Sequence, residues 1–178
     1  MNAKKIKSVA AGVLGAAALS LLSGCGYALV GRGSNIPEDI REVYIRPLEN
    51  QTQRSQVEQI LTRAIADEMV TRQRFAVVGS PEQADAELSG AVVGYGATPV
   101  TFDPNGRANE YEISLTARIA FKRIDSDKVI WSNDRYTFRE SYPIDATEEG
   151  YFDLEDAAIE EAAQRFAETV VSDLLEGF

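Results

Sequence analysis

Cys25 is the residue with the most pointed chemistry. It is the one cysteine among 178 residues, and its sulfur is the strongest nucleophile a side chain can offer. Leu22, Ser23 and Gly24 stand immediately before it. Histidine is absent, which removes Ser–His and Cys–His nucleophilic pairs and every His-ligated metal site. A lone cysteine also makes no intrachain disulfide. The remaining candidates are carboxylates. Asp125 and Asp127 form a close pair of the kind a hydrolase without histidine would need, but Asp is common in tight turns for local hydrogen bonding. Asp103-Pro104-Asn105-Gly106 begins like a calcium loop and lacks the later ligands and the closing Glu, so it reads as a turn. Glu148, Glu149, Glu155, Asp156, Glu160 and Glu161 crowd the start of a helix, where acids complement the helix dipole on a solvated face. Gly-x-Ser-x-Gly does not occur, and no Gly-rich phosphate loop follows a strand. The expectation is no catalytic residue, no metal, no cofactor and no enzyme.

What precedes Cys25 decides what its sulfur is for. Lys4, Lys5 and Lys7 form a positive start, and Ser8 to Leu22 is an alanine-rich apolar run. At about 15 residues that run is short for a bilayer core about 30 Å thick. Small residues at 23 and 24 suit a peptidase cleft. Leu22-Ser23-Gly24-Cys25 after such a run resembles the lipobox of bacterial lipoproteins. The resemblance implies a diacylglyceryl thioether on Cys25, cleavage before it, and acylation, with palmitate, of the new amino group. Two or three acyl chains anchor stably where one anchors only reversibly. Gly26 rather than Asp follows Cys25, which under the familiar sorting rule implies delivery to the outer membrane. The rival is an ordinary signal peptide or anchor helix with a chance cysteine.

Charge narrows the partners. The whole chain carries 18 basic and 28 acidic residues. Setting aside the three leader lysines leaves 15 against 28, a net charge of −13. Such a surface repels phosphate backbones, so nucleic acid is excluded as a partner. It repels anionic lipid head groups too, so the membrane must be held through lipid on Cys25 rather than by charge.

The elements follow from periodicity. Residues 1–24 read as a lipoprotein signal peptide, 25–39 as the lipidated N-terminus and a tether rich in turn formers, and 40–178 as a single domain. Glu42 to Leu48 is a first strand, with Pro47 marking its end or an edge. Val57, Ile60, Leu61, Ala64, Ile65 and Met69 recur at helical steps, which predicts an amphipathic helix over 53–72, capped by Asn50 or Thr52. Short strands are predicted at Phe75 to Val78 and Ala86 to Tyr95. From Asn109 to Ile124, Tyr111, Ile113, Leu115, Ala117, Ile119 and Phe121 alternate with polar residues, the habit of an antiparallel strand with one wet face. Asp125-Ser126-Asp127-Lys128 turns the chain into a strand from Val129 to Phe138. A continuous apolar stripe from Ile159 to Leu175 gives the last helix. The fold class is therefore α+β: a two-layer sandwich in the order β-α-β-β-β-α, with two helices packed on one face of a mainly antiparallel four- to five-stranded sheet.

Gly94 to Asn109 then stands out as a long connection, and long loops in compact domains carry function. It holds Pro99, Val100, Phe102 and Arg107. Two readings stay open for Phe102: an anchor exposed on the loop tip, or a ring folded back into the core. Arg107, Lys122 and Arg123 stand out among scarce basic residues. They could meet an anionic sugar lipid, or only solubilise the surface.

These residues together resemble a known family. Cys25-Gly26-Tyr27 after the lipobox, Val43-Tyr44-Ile45 followed by Leu48-Glu49-Asn50-Gln51-Thr52, Thr98-Pro99-Val100 with Phe102-Asp103, Glu110-Tyr111 opening a long strand, and Lys128-Val129-Ile130-Trp131 are similar, in this order, to the LptE (RlpB) family of lipopolysaccharide-assembly lipoproteins. The resemblance implies an outer-membrane lipoprotein facing the periplasm, or lying inside a barrel lumen. Its partner would be the LptD β-barrel translocon, which it plugs and helps to assemble, and the pair would transport lipopolysaccharide and insert it into the outer leaflet. Contacts with the barrel or with lipopolysaccharide would fall to Pro99, Val100, Phe102, Arg107, Lys122 and Arg123. The acidity of the chain favours plugging over direct lipid contact. The alternative is a periplasmic lipoprotein that regulates a cell-wall synthase or forms part of a secretion assembly.

Overall fold

The computed structural model describes residues 36–144 and 151–177, with side chains from Glu155 onward in the last helix. Six strands and two long helices are present among them: β1 (Glu42–Ile45), β2 (Glu49–Asn50), α1 (Val57–Thr71), β3 (Ala76–Val78), β4 (Ala86–Phe102), β5 (Ala108–Arg123), β6 (Val129–Pro143) and α2 (Tyr151–Glu176). The sheet runs β3-β1-β4-β5-β6, and β2 also pairs with β4. The α+β sandwich with both helices on a sheet is as the sequence predicts.

Three details differ, each for a physical reason. The sheet is mixed: β1 is parallel to β3 and β4, while β4-β5 and β5-β6 are antiparallel. A strand, a helix and a returning strand place β1 and β3 side by side in parallel, since the helix carries the chain back. The first predicted strand is two pieces, so there are six strands rather than four or five. Pro47 cannot donate to a ladder, and the chain bends between Arg46 and Leu48. Arg46 N–H to the Leu88 carbonyl and Gln51 N–H to the Val92 carbonyl, both 2.9 Å, keep both pieces on β4. The third difference is the largest. The long loop does not exist: β4 runs to Phe102 and β5 starts at Ala108, leaving Asp103 to Arg107 as the connection. Gly94, Gly96 and Pro99 read as breakers but are tolerated in the ladder. A methyl group on Gly96 would lie 3.0 Å from the Ser114 hydroxyl across the pair. Pro99 lies beyond Val92, the last β4 residue paired with β2, where the missing N–H leaves no ladder bond unmade.

The predicted alternation in β5 holds. Ile113, Leu115, Ala117, Ile119 and Phe121 are all buried. They meet Val57, Leu61, Ile65 and Met69 of α1 and the stripe Ile159, Ala162, Ala163, Phe166, Val170, Val171 and Leu174 of α2 in one core. Tyr136 and Phe138 of β6 pack edge-on against Phe166, with ring centroids 5.4 and 6.4 Å away. Each fully buried Val, Leu, Ile, Met or Phe side chain of this core stabilises the fold by about 1.5–3 kcal/mol. Asn50 and Thr52 do not cap α1 directly. The Asn50 side-chain oxygen accepts from the Thr52 N–H at 2.8 Å, and its amide donates to the Arg54 carbonyl and to Glu58, so the pair builds the turn that leads to Gln56.

Candidate functional site

β5 is a 16-residue beam, roughly 50 Å long at about 3.4 Å per residue, with a different kind of surface at each end. At its start is the β4–β5 hairpin tip. The pairing shifts register twice here. Pro99 faces Tyr111 and Thr101 faces Glu110, so Val100 is an extra residue bulged out of β4. Val100 is 46% exposed and Phe102 57% exposed. Phe102 is therefore exposed on the tip and does not fold back into the core. Pro99 and Arg107 are exposed as well.

The polar groups of this tip turn inward. The Thr101 hydroxyl donates to Glu110 Oε2 at 2.7 Å. Asp103 Oδ1 accepts the main-chain N–H of Asn105 at 2.8 Å and of Arg107 at 2.9 Å. The Arg107 and Asn105 hydrogen bonds outweigh the small burial cost and hold the Asp103 carboxyl below its ordinary range. Its Oδ1 therefore serves the turn, as the sequence reading of Asp103 to Gly106 expects. Among the described residues no group of three or more His, Cys, Asp or Glu is placed to hold a metal ion.

Lys122 and Arg123 lie at the other end of β5, so the candidate residues split into two groups rather than one site. Lys122 faces Asp127 at 3.5 Å, and Arg123 is bonded to Asp39 and lies 3.6 Å from Asp125. Asp125 and Asp127 thus each face their own cation and share no reacting position. Beside them, Asp85 Oδ2 accepts the main-chain N–H of Arg41 at 2.8 Å and of Glu42 at 3.0 Å. These bonds hold the Asp85 carboxyl below its ordinary range, as the bond from Arg123 holds that of Asp39. The cluster fastens the entry to β1 onto the β5–β6 turn.

Sequence reasoning missed how α2 is fastened. The Tyr95 hydroxyl donates to Glu155 Oε1 at 2.5 Å and that of Tyr136 to Asp173 Oδ2 at 2.7 Å. Burial first, then the carboxylate partner, pushes both phenols well above their ordinary range. Arg54 bonds to Asp156 and lies 3.7 Å from Glu155, so these two acids latch the helix instead of standing as a plain solvated face. The groove of about 340 Å³ between α1 and α2 is lined by four acids, Asp67, Glu68, Glu160 and Glu168, against the single cation Arg63, a net negative setting that disfavours phosphate groups. Cys25 with Leu22, Ser23 and Gly24, and also Glu148 and Glu149, lie outside the described residues. No helix among the described residues is long and apolar enough to cross a membrane.

A family model described as "LptE: Lipopolysaccharide-assembly" matches residues 40–174. A search of curated proteins gives no match. Among solved structures, the hypothetical protein CT253 from Chlamydia trachomatis is 12% identical, with 78% of this chain and 97% of that one covered and a TM-score of 0.53. A minor lipoprotein from Acinetobacter baumannii is 13% identical, with 79% and 94% covered and a TM-score of 0.51. The rare lipoprotein B from Shewanella oneidensis is 15% identical, with 74% and 95% covered and a TM-score of 0.46. Identities at this level speak for the fold alone.

Proposed function

This chain belongs to the LptE family of lipopolysaccharide-assembly proteins, and on that premise we propose that it is a non-enzymatic outer-membrane lipoprotein that plugs and helps to assemble an LptD-like β-barrel. In this reading Cys25 carries the lipid, residues 25–39 link it to the fold with Ile36 already in the core and Asp39 fastened to Arg123, and residues 40–178 form the body of the plug. The barrel and its plug together pass lipopolysaccharide to the outer leaflet. The observation that carries the docking mode is the hairpin tip, where Val100 and Phe102 stand exposed while the Thr101 hydroxyl and Asp103 Oδ1 are engaged within the hairpin. Exposed aromatic side chains on a rigid support are the usual anchors of protein interfaces. Lys122 and Arg123 are spoken for by acids, and the helix groove is acidic, so the support is for a barrel contact at Pro99, Val100, Phe102 and Arg107 rather than for a direct phosphate site.

The test is affinity purification of the tagged, lipidated protein from mild-detergent membranes, with partners identified by mass spectrometry. A stoichiometric large outer-membrane β-barrel is expected, together with crosslinks from position 102. Recovery of a cell-wall synthase or a secretion subunit, with no barrel, would sink the reading.

A further inference from the structure

Asp103 is the centre of the turn that follows Phe102. Besides the two N–H groups its carboxylate accepts, its own N–H donates to the Arg107 carbonyl at 2.8 Å, and its carbonyl accepts the Gly106 N–H at 2.9 Å. Gly106 sits at φ 77°, where a side chain would be strained. All four bonds close within Asp103 to Arg107, so the turn takes its shape without help from the core. The large apolar side chains that face outward here are Val100 and Phe102, and the Arg107 side chain is exposed beside them.

A loop that must be ordered on contact loses affinity to the entropy of ordering, and a loop already in shape does not. Resting on the barrel-docking reading above, we propose that Asp103 is a positioning residue that sets the tip in its docking shape before contact. Val100 and Phe102 then enter an apolar recess of the barrel as a preformed anchor, and Arg107 meets a carboxylate at its rim. The Thr101 hydroxyl is engaged by Glu110 across the strand pair and Asp103 Oδ1 by the turn, so neither needs the partner to satisfy it.

The full-length lipidated protein and the purified barrel, both in detergent, give the test. Asp103→Ala removes the acceptor of two amide hydrogen bonds and should weaken binding about tenfold or more, since bonds to a charged group are each worth about that factor. Asp103→Asn keeps an oxygen at the same place and should stay within about threefold of the native protein. Amide exchange at Asn105 and Arg107 should quicken in Asp103→Ala only, with the melting temperature of both variants unchanged. Phe102→Ser is measured beside them and should also weaken binding about tenfold. If Phe102→Ser binds weakly while Asp103→Ala binds like the native protein with its amides exchanging fast, the positioning role is overturned and docking stands. If Asp103→Asn is as weak as Asp103→Ala, charge rather than shape is at work, and the positioning role again fails. If Phe102→Ser binds like the native protein, the docking reading falls and takes this proposal with it.

Discussion

The two ends of β5 carry the same kinds of residue and use them differently. At the far end, Arg123, Lys122, Asp39, Asp85, Asp125 and Asp127 are bound to one another and to main-chain amides, and they fasten the entry of the chain to the β5–β6 turn. At the tip, Asp103 is spent on the turn itself, while Phe102, Val100 and Arg107 face outward. Each end also places a phenylalanine on the three central strands. Phe121 is fully buried against Phe75, with ring centroids 5.9 Å apart, and Phe102 is mostly exposed. The difference teaches that residue type alone does not mark a site. A side chain is free for a partner only when the fold has not already engaged it.

The two phenylalanines give the largest expected effect. Phe121→Ala removes a ring from the closed core and should cost about 3–5 kcal/mol of stability. Phe102→Ser should leave stability within about 0.5 kcal/mol, as exposed positions do. Urea denaturation followed by circular dichroism measures both. Similar losses for the two variants would mean that the tip belongs to the core and would dissolve the contrast between the ends.

How far the contrast was legible in the sequence depends on the range of the interactions behind it. The alternation of Ile113, Leu115, Ala117, Ile119 and Phe121 is local, and it shows directly. So is the turn at Asp103 to Gly106, and so are the apolar stripes of α1 and α2. The extension of β4 past Gly94, Gly96 and Pro99 was not legible, because the local preference of those residues says loop, while a continuous ladder to β5 outweighs it. The same limit hid the parallel pairing of β1 with β3, which depends on where a helix returns the chain. Arg123 finds Asp39 at a separation of 84 residues, and Tyr95 finds Glu155 at 60. No spacing rule reaches that far, so Lys122 and Arg123 looked as available as Arg107. Exposure at Phe102 was undecided for a related reason: an aromatic ring on a loop serves a core or a partner equally well until the loop is known to be a protruding hairpin.

A smaller effect sharpens the comparison through Asp85. Asp85→Ala leaves the N–H groups of Arg41 and Glu42 to water instead of their acceptor and should cost about 0.5–1.5 kcal/mol. The same residue gives a pH dependence with a definite sign. The folded-state pKa values of Asp85 and Asp39 lie below their unfolded values. Their contribution is therefore fully present above the unfolded value of about 3.9 and is lost as pH falls through the folded values. Stability should thus drop on acidification below about pH 4, and the drop should be shallower in Asp85→Asn, whose side chain does not titrate. A set of urea midpoints between neutral pH and pH 3 tests this. An equal slope in Asp85→Asn would show that the far end is held by something other than these carboxylates.

The smallest expected effect separates the two arginines, and it bears most directly on which of them a partner can use. Arg123→Ala breaks the bond to Asp39 and the pairing with Asp125, and should lower stability slightly, as the loss of surface ion pairs does. Arg107→Ala should be neutral for stability within about 0.5 kcal/mol. Binding to the barrel should invert the order, with Arg107→Ala weakening capture and Arg123→Ala leaving it unchanged. That crossing is more informative than either value alone. A residue engaged by the fold is seen in the melting curve, and a residue left free is seen only when the partner is present. If Arg123→Ala weakened capture with stability intact, the acids around it would be a resting state from which a partner withdraws it, and the far end would have to join the tip as part of the docking surface.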